Sequence, residues 1–440
     1  MKKFLNKFII IILTSGLFFN NVYANEKTIS PQPEIIADAY MLFDQDTGNI
    51  LMSENIDMMV YPASTTKILT AILAIENADL DEMVTITKDA FYNMESGATL
   101  AGLVVGEEIS VHDLVYCTML ASGNEAANAL AIHVGGTVEN FIAMMNFRAV
   151  QLGAYNSNFS NANGLHGDDH YTTARDMSII AKYALKNEFF CTVANTAQKT
   201  ISATNKNAQR IIYTTNQLIF RTTDSRYYAY ANGVKTGFTS MAGNCLVSQA
   251  EKDGERLIAL IFDCAKDAGG NNMTFARSKE MYEWGFENFY KQTLVKELQP
   301  MVTVEVRLSS QSDYVSLKVA NDLKALVPID FDEDKISFVF DVPETVDAPI
   351  EVDQKIGTVQ VRYDGVYHGT LDLLAVSEVE LSQVLYYVDV LENFFASSTL
   401  RVILVSLVML VILSDVGVKI KNKMRKRKRF MAKKRKSRYK

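Results

Sequence analysis

Ser64 stands three residues before Lys67 in the stretch "YPASTTKILTA" (61–71). Residues three apart share a helix face, so the Ser64 hydroxyl and the Lys67 amine can meet. A hydroxyl is a feeble nucleophile at its ordinary pKa and needs a base to take its proton. A lysine can be that base only when neutral, and burial or a second cation nearby pushes it that way. The neighbours argue for burial. Ile68, Leu69, Ala71, Ile72, Leu73 and Ile75 are too apolar for a surface helix, and Pro62 suits its start. A lone S-x-x-K is equally compatible with a serine N-cap and a lysine that reaches solvent, so the rest of the chain has to decide.

Two further patterns follow in order. "ASGNEAAN" carries Ser122-Gly123-Asn124 at a break between helical stretches, and "NGVKTGFTSMAGN" carries Lys235-Thr236-Gly237 opening a strand. Each is weak alone. On a helix start, a helix break and a strand, in that order, the three form the signature of penicillin-binding proteins and serine β-lactamases. The chain resembles the low-molecular-mass penicillin-binding proteins that act as serine-type D-alanyl-D-alanine carboxypeptidases. The likeness extends through "NFSNANGLHGDDHYTTARDM", "GVKTGFTSMAGNCLVSQAEKDGERLIALIF" and "APIEVDQKIGTVQVRYDGVYHGTLDLLAV", over about residues 34–380. Phe238 differs from some relatives, which have histidine after Lys-Thr-Gly.

The resemblance implies an acyl-enzyme on Ser64 with Lys67 as base. It implies that Ser122 relays a proton to the leaving D-alanine and that Asn124 holds the substrate amide and Lys67. Lys235 and Thr236 would grip the terminal carboxylate. The N–H of Ser64, at a helix N-terminus, is a natural oxyanion donor, and the resemblance implies that of Phe238 as the other. Gly237 would let substrate backbone lie close to the strand. The substrate so implied is a peptidoglycan stem peptide ending in D-Ala-D-Ala, with β-lactams as covalent inhibitors and no cofactor. DD-endopeptidase and β-lactamase activity on the same fold, and a catalytically dead wall-associated scaffold, are the competing readings. A β-rich domain and a membrane anchor speak against a β-lactamase, and three intact elements against a scaffold. "HGDDH" places His166 and His170 four apart, as metal ligands can be. Gly167 disfavours a helix there, so a loop at the site's edge is expected and no metal.

The elements that would hold these residues are legible. "AYMLFDQDTGNILMSEN" reads as a hairpin, helical spacing dominates from Ser64 to about Leu185, strands return over 231–263, and "TFARSKEMYEWGFENFYK" reads as a helix closing near 291. Strands on both sides of a helical middle predict an α/β (α+β) transpeptidase-like domain whose sheet is assembled from distant segments. From about Val295 to Val376, short alternating stretches predict a small all-β domain without a catalytic cluster. Cys245 and Cys264 flank a hairpin turning at Asp253-Gly254; pairing Cys245 with Phe262 leaves Cys264 on a diagonal, too far for a disulfide, so free buried thiols are expected.

The ends set the compartment. Lys2, Lys3 and Lys7 precede an apolar run and Val22-Tyr23-Ala24, which reads as a signal peptide over 1–24. Residues 394–418 are mostly apolar, and 419–440 hold 14 Lys/Arg and no acid. A basic block beside a span stays cytoplasmic, placing the body on the outer face of a bacterial cell membrane. An interfacial amphipathic helix is the alternative for 394–418. The expected organisation is therefore signal peptide, catalytic domain (25–293), β-rich domain (294–388), span (394–418) and basic tail (419–440). The formal charge of −7 hides a split: residues 25–393 carry 50 acids against 26 bases. A body that acidic excludes nucleic acid as a partner.

Overall fold

The computed structural model describes residues 28–92, 94, 97–221 and 225–436. The signal peptide expected over 1–24 lies outside them. Contacts divide the chain into two units, one of residues 1–291 with 326–332, the other of 292–325 with 333–440.

The first unit begins with β1 (Ala37–Asp44) and β2 (Ile50–Glu54), followed by a 3₁₀ turn (Ala63–Thr66) and α1 (Lys67–Asn77). The short pair β3 (Met83–Thr85) and β4 (Glu108–Ser110) precedes the helices α2 (Val111–Met119), α3 (Asn124–Gly135), α4 (Val138–Leu152), α5 (Ala174–Ala184) and α6 (Glu188–Ala194). The hairpin of β5 (Gln198–Ile201) and β6 (Arg210–Tyr213) leads to β7 (Ala231–Thr239), β8 (Gly243–Lys252), β9 (Glu255–Cys264) and α7 (Thr274–Asn288). Serine or threonine hydroxyls cap three of the helices: Ser110, Thr137 and Thr173 accept from Asp113, Asn140 and Asp176 N–H.

The main sheet runs β2-β1-β9-β8-β7, antiparallel throughout, so strands 200 residues apart in sequence lie side by side as expected. Both of its faces are covered. Met41 and Phe43 of β1 and Leu260 and Phe262 of β9 pack into one core with α1, while Leu42, Ala259 and Ile261 pack into a second with Tyr282 and Trp284 of α7. Burial on both faces is why "LIALIF" reads as a continuous apolar run rather than an alternation. Helix α1 is buried from Lys67 to Ala74, which explains its apolar girth.

Three expectations change in detail. The 3₁₀ turn, not α1 itself, carries Ser64. Helix α7 stops at Asn288, and Phe289–Val295 is a strand, β10. The β8–β9 hairpin does turn at Asp253-Gly254, with Lys252 opposite Glu255 and both turn residues at positive φ. A bulge between Asn244 and Leu246 then shifts the register, so Cys264 faces Asn244 and Cys245 is not paired with Phe262. Cys245 and Cys264 are nonetheless free and buried.

The second unit contains β11 (Pro300–Arg307), β12 (Tyr314–Val319), β14 (Ile336–Asp341), β15 (Thr345–Asp347), β16 (Lys355–Tyr363) and β17 (Val366–Ala375); β13 (Leu323–Pro328) straddles the division. Its six-stranded sheet runs β14-β16-β17-β12-β11-β15. Helices α8 (Gln383–Ala396) and α9 (Ser398–Lys436) follow, parted by an extended Ser397. The expected span 394–418 thus crosses a break, and the basic tail continues the same helix. The segment Arg401–Met431 is long and apolar enough to cross a membrane. Asp415, the one acid in α9, is bridged at 2.5 Å by Lys419 one turn later.

Candidate active site

The turn that carries Ser64 is wedged between a loop and a strand. On one side, Gly164 (φ +80°) lies so close that a Cβ there would sit 2.0 Å from the Ala63 carbonyl oxygen. On the other, a Cβ on Gly237 would stand 3.1 Å from the Ser64 backbone nitrogen. Gly164 leaves no room for a side chain where the loop closes on the turn, and Gly237 spares the turn the small shift that a Cβ on the strand would force. β7, which carries Gly237, is an edge strand of the main sheet, so one side of its backbone is not paired with another strand of that sheet.

Lys67, fully buried at the start of α1, donates to Ser64 Oγ at 2.9 Å, to Asn124 Oδ1 at 2.7 Å and to the Asn163 carbonyl. Burial drives its pKa well below the ordinary 10.5, the Lys235 charge pushes it further down, and the Glu125 charge opposes both. Burial also lowers Lys235, to about 7, while its amine donates to the Thr236 carbonyl at 3.0 Å. A lysine that is both desolvated and already bonded to the hydroxyl can accept that hydroxyl's proton.

A cleft of about 510 Å³ opens over this pair. Ser64, Ser122, Asn124, Thr236, Gly237 and Phe238 all line it. Ser122 sits at φ +58° in the break between α2 and α3, a left-handed conformation unfavourable for serine that turns this residue into the cleft. Among the described residues its hydroxyl has no hydrogen-bond partner. Phe238 is 58% exposed, with the Lys266 ammonium 5.7 Å from its ring centre. Lys235, on β7 itself, does not line the cleft; it is buried. The eight residues expected from the motifs therefore gather at one place, six on the cleft wall and two lysines under it.

Four further residues build the site without a motif to announce them. Glu125 Oε1 accepts from Ala101 N–H at 2.6 Å and Leu103 N–H at 3.3 Å, tying the strap of residues 101–103 to the start of α3 beside Ser122. Asn163 supplies the carbonyl over Lys67, and its side chain is fixed by Asn128 at 3.1 Å and Leu165 N–H at 2.9 Å. Thr215 and Thr236 share a hydroxyl contact at 2.6 Å in the cleft. His170 Nδ1 accepts from Ser160 N–H at 3.0 Å, so its Nε2–H donates to Thr66 Oγ1 at 2.8 Å, on the turn that carries Ser64. His166 goes elsewhere, edge-on to Tyr61 at 4.7 Å and 3.5 Å from Asp168. The two histidines of "HGDDH" thus serve a loop, each with its own protein partners.

Residues 25–266 match the model of the D-alanyl-D-alanine carboxypeptidase family, and 289–381 that of the penicillin-binding protein 5 C-terminal domain. The chain is 30% identical over 333 residues to D-alanyl-D-alanine carboxypeptidase DacF of Bacillus subtilis, covering 75% of this chain and 82% of that one. It is 31% identical to DacA of Haemophilus influenzae over 79% of this chain and 86% of the relative. Penicillin-binding protein 5 of Haemophilus influenzae superposes with a TM-score of 0.64 at 28% identity, covering 80% of this chain and 100% of that one. A Streptomyces K15 DD-transpeptidase variant superposes at 0.53 and 32% identity, over 58% of this chain and 100% of that one. With the serine–lysine pair, the cleft above it and a matched second domain all in place, the chain belongs to the D-alanyl-D-alanine carboxypeptidase family of low-molecular-mass penicillin-binding proteins.

Proposed function

We propose that the protein removes the terminal D-alanine from peptidoglycan stem peptides through an acyl-enzyme on Ser64. The observation that carries this reading is the bond from the buried Lys67 amine to Ser64 Oγ. Ser64 Oγ attacks the carbonyl of the penultimate D-alanine as its proton passes to Lys67. The tetrahedral oxyanion is met by the N–H groups of Ser64 and Phe238. Collapse breaks the peptide bond, and the leaving amine takes a proton delivered by way of Ser122. Water then hydrolyses the ester and restores the serine. Asn124 holds the substrate amide and keeps Lys67 in reach.

Thr236, steadied by Thr215, receives the terminal carboxylate, and Lys235, buried on the same strand, adds its positive field. Gly237 keeps the β7 backbone open to the peptide. A β-lactam placed in the same way acylates the same hydroxyl. The reading also takes in the boundaries 25–293 for the catalytic domain and 294–388 for the β-rich domain, ahead of a single span that holds the body outside the cell.

The purified protein should release free D-alanine from diacetyl-L-Lys-D-Ala-D-Ala, and Ser64→Ala should abolish both that release and covalent labelling by a fluorescent penicillin. Labelling that survives in Ser64→Ala would mean a different nucleophile.

A further inference from the structure

Four hydrogen bonds converge on a carboxylate that the chemistry above does not use. Glu107, fully buried, accepts from Val104 N–H at 3.1 Å, Thr204 Oγ1 at 3.0 Å, Asn207 Nδ2 at 2.7 Å and Arg210 Nη1 at 3.0 Å. Arg210 is itself mostly covered, and its Nε and Nη2 are buried without a hydrogen-bond partner among the described residues. A guanidinium so placed is costly unless an opposite charge compensates it, and Glu107 is the acid it meets. Two more bonds run beside this pair. Asn207 Nδ2 also donates to the Gly102 carbonyl at 3.1 Å, and Asn205 Nδ2 to that of Gly106 at 2.9 Å. The β5–β6 hairpin is thereby fastened to the far end of the strap, which runs from Gly97 to Glu107 without helix or strand.

Each of the two elements so joined reaches the cleft. The strap contributes Gly97, Ala98 and Thr99 to the cleft lining, and the Thr99 carbonyl accepts from Asn124 N–H at 2.9 Å. Ala101 packs on Gly123, where an added Cβ would stand 2.8 Å from the alanine Cβ. On the hairpin's side, β6 leads directly to Thr215, whose hydroxyl meets that of Thr236 at 2.6 Å. The ion pair therefore sits where the support behind Ser122 and Asn124 meets the support behind Thr236. A peptide held by its amide at Asn124 and by its carboxylate at Thr236 needs that spacing fixed. We propose that Glu107 and Arg210 are positioning residues, whose ion pair sets the distance between Asn124 and Thr236 and with it the alignment of the scissile bond on Ser64. The assignment rests on the carboxypeptidase reading and adds to it two residues outside the cleft lining.

The test measures D-alanine release from diacetyl-L-Lys-D-Ala-D-Ala by the full-length protein at saturating substrate. Every rate is expressed per Ser64 that a fluorescent penicillin labels to completion, so that protein which fails to fold is not counted. Arg210→Met leaves Glu107 buried without a cation, and kcat per labelled site should fall about ten- to a hundredfold, the scale of an ångström's misplacement. Arg210→Lys should stay within about threefold of wild type, because the pair is a single N–O contact rather than a bidentate one. Asn207→Ala removes two of the bonds from a half-buried side chain and should lower kcat per site about three- to tenfold. It decides the matter if Arg210→Met yields no labelled sites. An ion pair that served folding alone would reduce the number of labelled sites and leave kcat per site unchanged in every variant. That result, or equal losses in Arg210→Met and Arg210→Lys, overturns the positioning role alone. No D-alanine release by the wild type overturns the carboxypeptidase reading and the positioning role with it.

Discussion

Acid should loosen the catalytic unit through His170. The imidazole is 2% exposed and occupies both of its nitrogens, one accepting from Ser160 N–H and the other donating to Thr66. A second proton would have to go on the nitrogen that faces the Ser160 N–H. Burial accordingly lowers the pKa from 6.5 to about 4, and the Lys67 charge adds to the effect. As pH falls, the unfolded chain binds this proton before the folded one does. Stability from the neutral ring is thus full above pH 6.5 and is lost between 6.5 and about 4.

The whole window corresponds to about 3 kcal/mol, of which about 2 kcal/mol is lost between pH 7 and pH 5. Trp284, the one tryptophan, is buried in the same unit, and its fluorescence can follow urea unfolding. Carboxylates titrate in that range as well, so the comparison is with His170→Gln, whose amide can accept from Ser160 and donate to Thr66 without titrating. The wild type should lose about 2 kcal/mol more than the variant on going from pH 7 to pH 5. Equal losses would show that His170 does not bind its proton more weakly in the folded state.

Lys67→Arg, which cannot become neutral, should fold and yet acylate with penicillin ~10²–10⁴-fold more slowly; a near-normal rate would remove Lys67 as the base. In the wild type, acylation should rise with pH as Lys67 loses its proton, with a midpoint well below the 10.5 of an ordinary lysine, read from a pH–rate profile. Gly164→Ala places a methyl against the Ala63 carbonyl; displacement of the nucleophile turn should slow acylation ~10²-fold in a protein that still unfolds cooperatively. Full-length protein should stay with membranes in high salt, because screening weakens the tail's attraction to lipid but not burial of the apolar helix; release by salt alone would contradict a span.

Motif residues were legible because chemistry constrains them locally. Ser64 and Lys67 lie within one turn, and Lys235 to Phe238 lie on one strand. Supporting residues were not, since each acts across the chain. Asn163 reaches Lys67 over 96 positions and His170 reaches Thr66 over 104, with no shared periodicity to mark them. The sheet order was readable in outline from strands at both ends of a helical middle. The β8–β9 bulge was not, because an extra residue changes register without changing the apolar pattern of "CLVSQA". Likewise β3 with β4, and β5 with β6, are pairs of only three or four residues, too short for alternation to stand out.

Glu125 shows what the motif leaves out of the electrostatics. It follows Asn124 directly, is fully buried, and raises the pKa of Lys67 while burial and Lys235 lower it. Without that acid, burial and the Lys235 charge would drive Lys67 still further toward its neutral form. One buried carboxylate, held by two backbone N–H groups rather than by an ion pair, offsets part of that without contacting either amine. Burial raises Glu125's own pKa while those N–H groups pull it back down, so the strap that shapes the cleft also sustains its charge. Breaking the Ala101 and Leu103 contacts would therefore alter the proton affinity of the base as well as the shape of the site. The proton affinity of the serine–lysine pair is thus tuned by a carboxylate with which it shares no direct hydrogen bond.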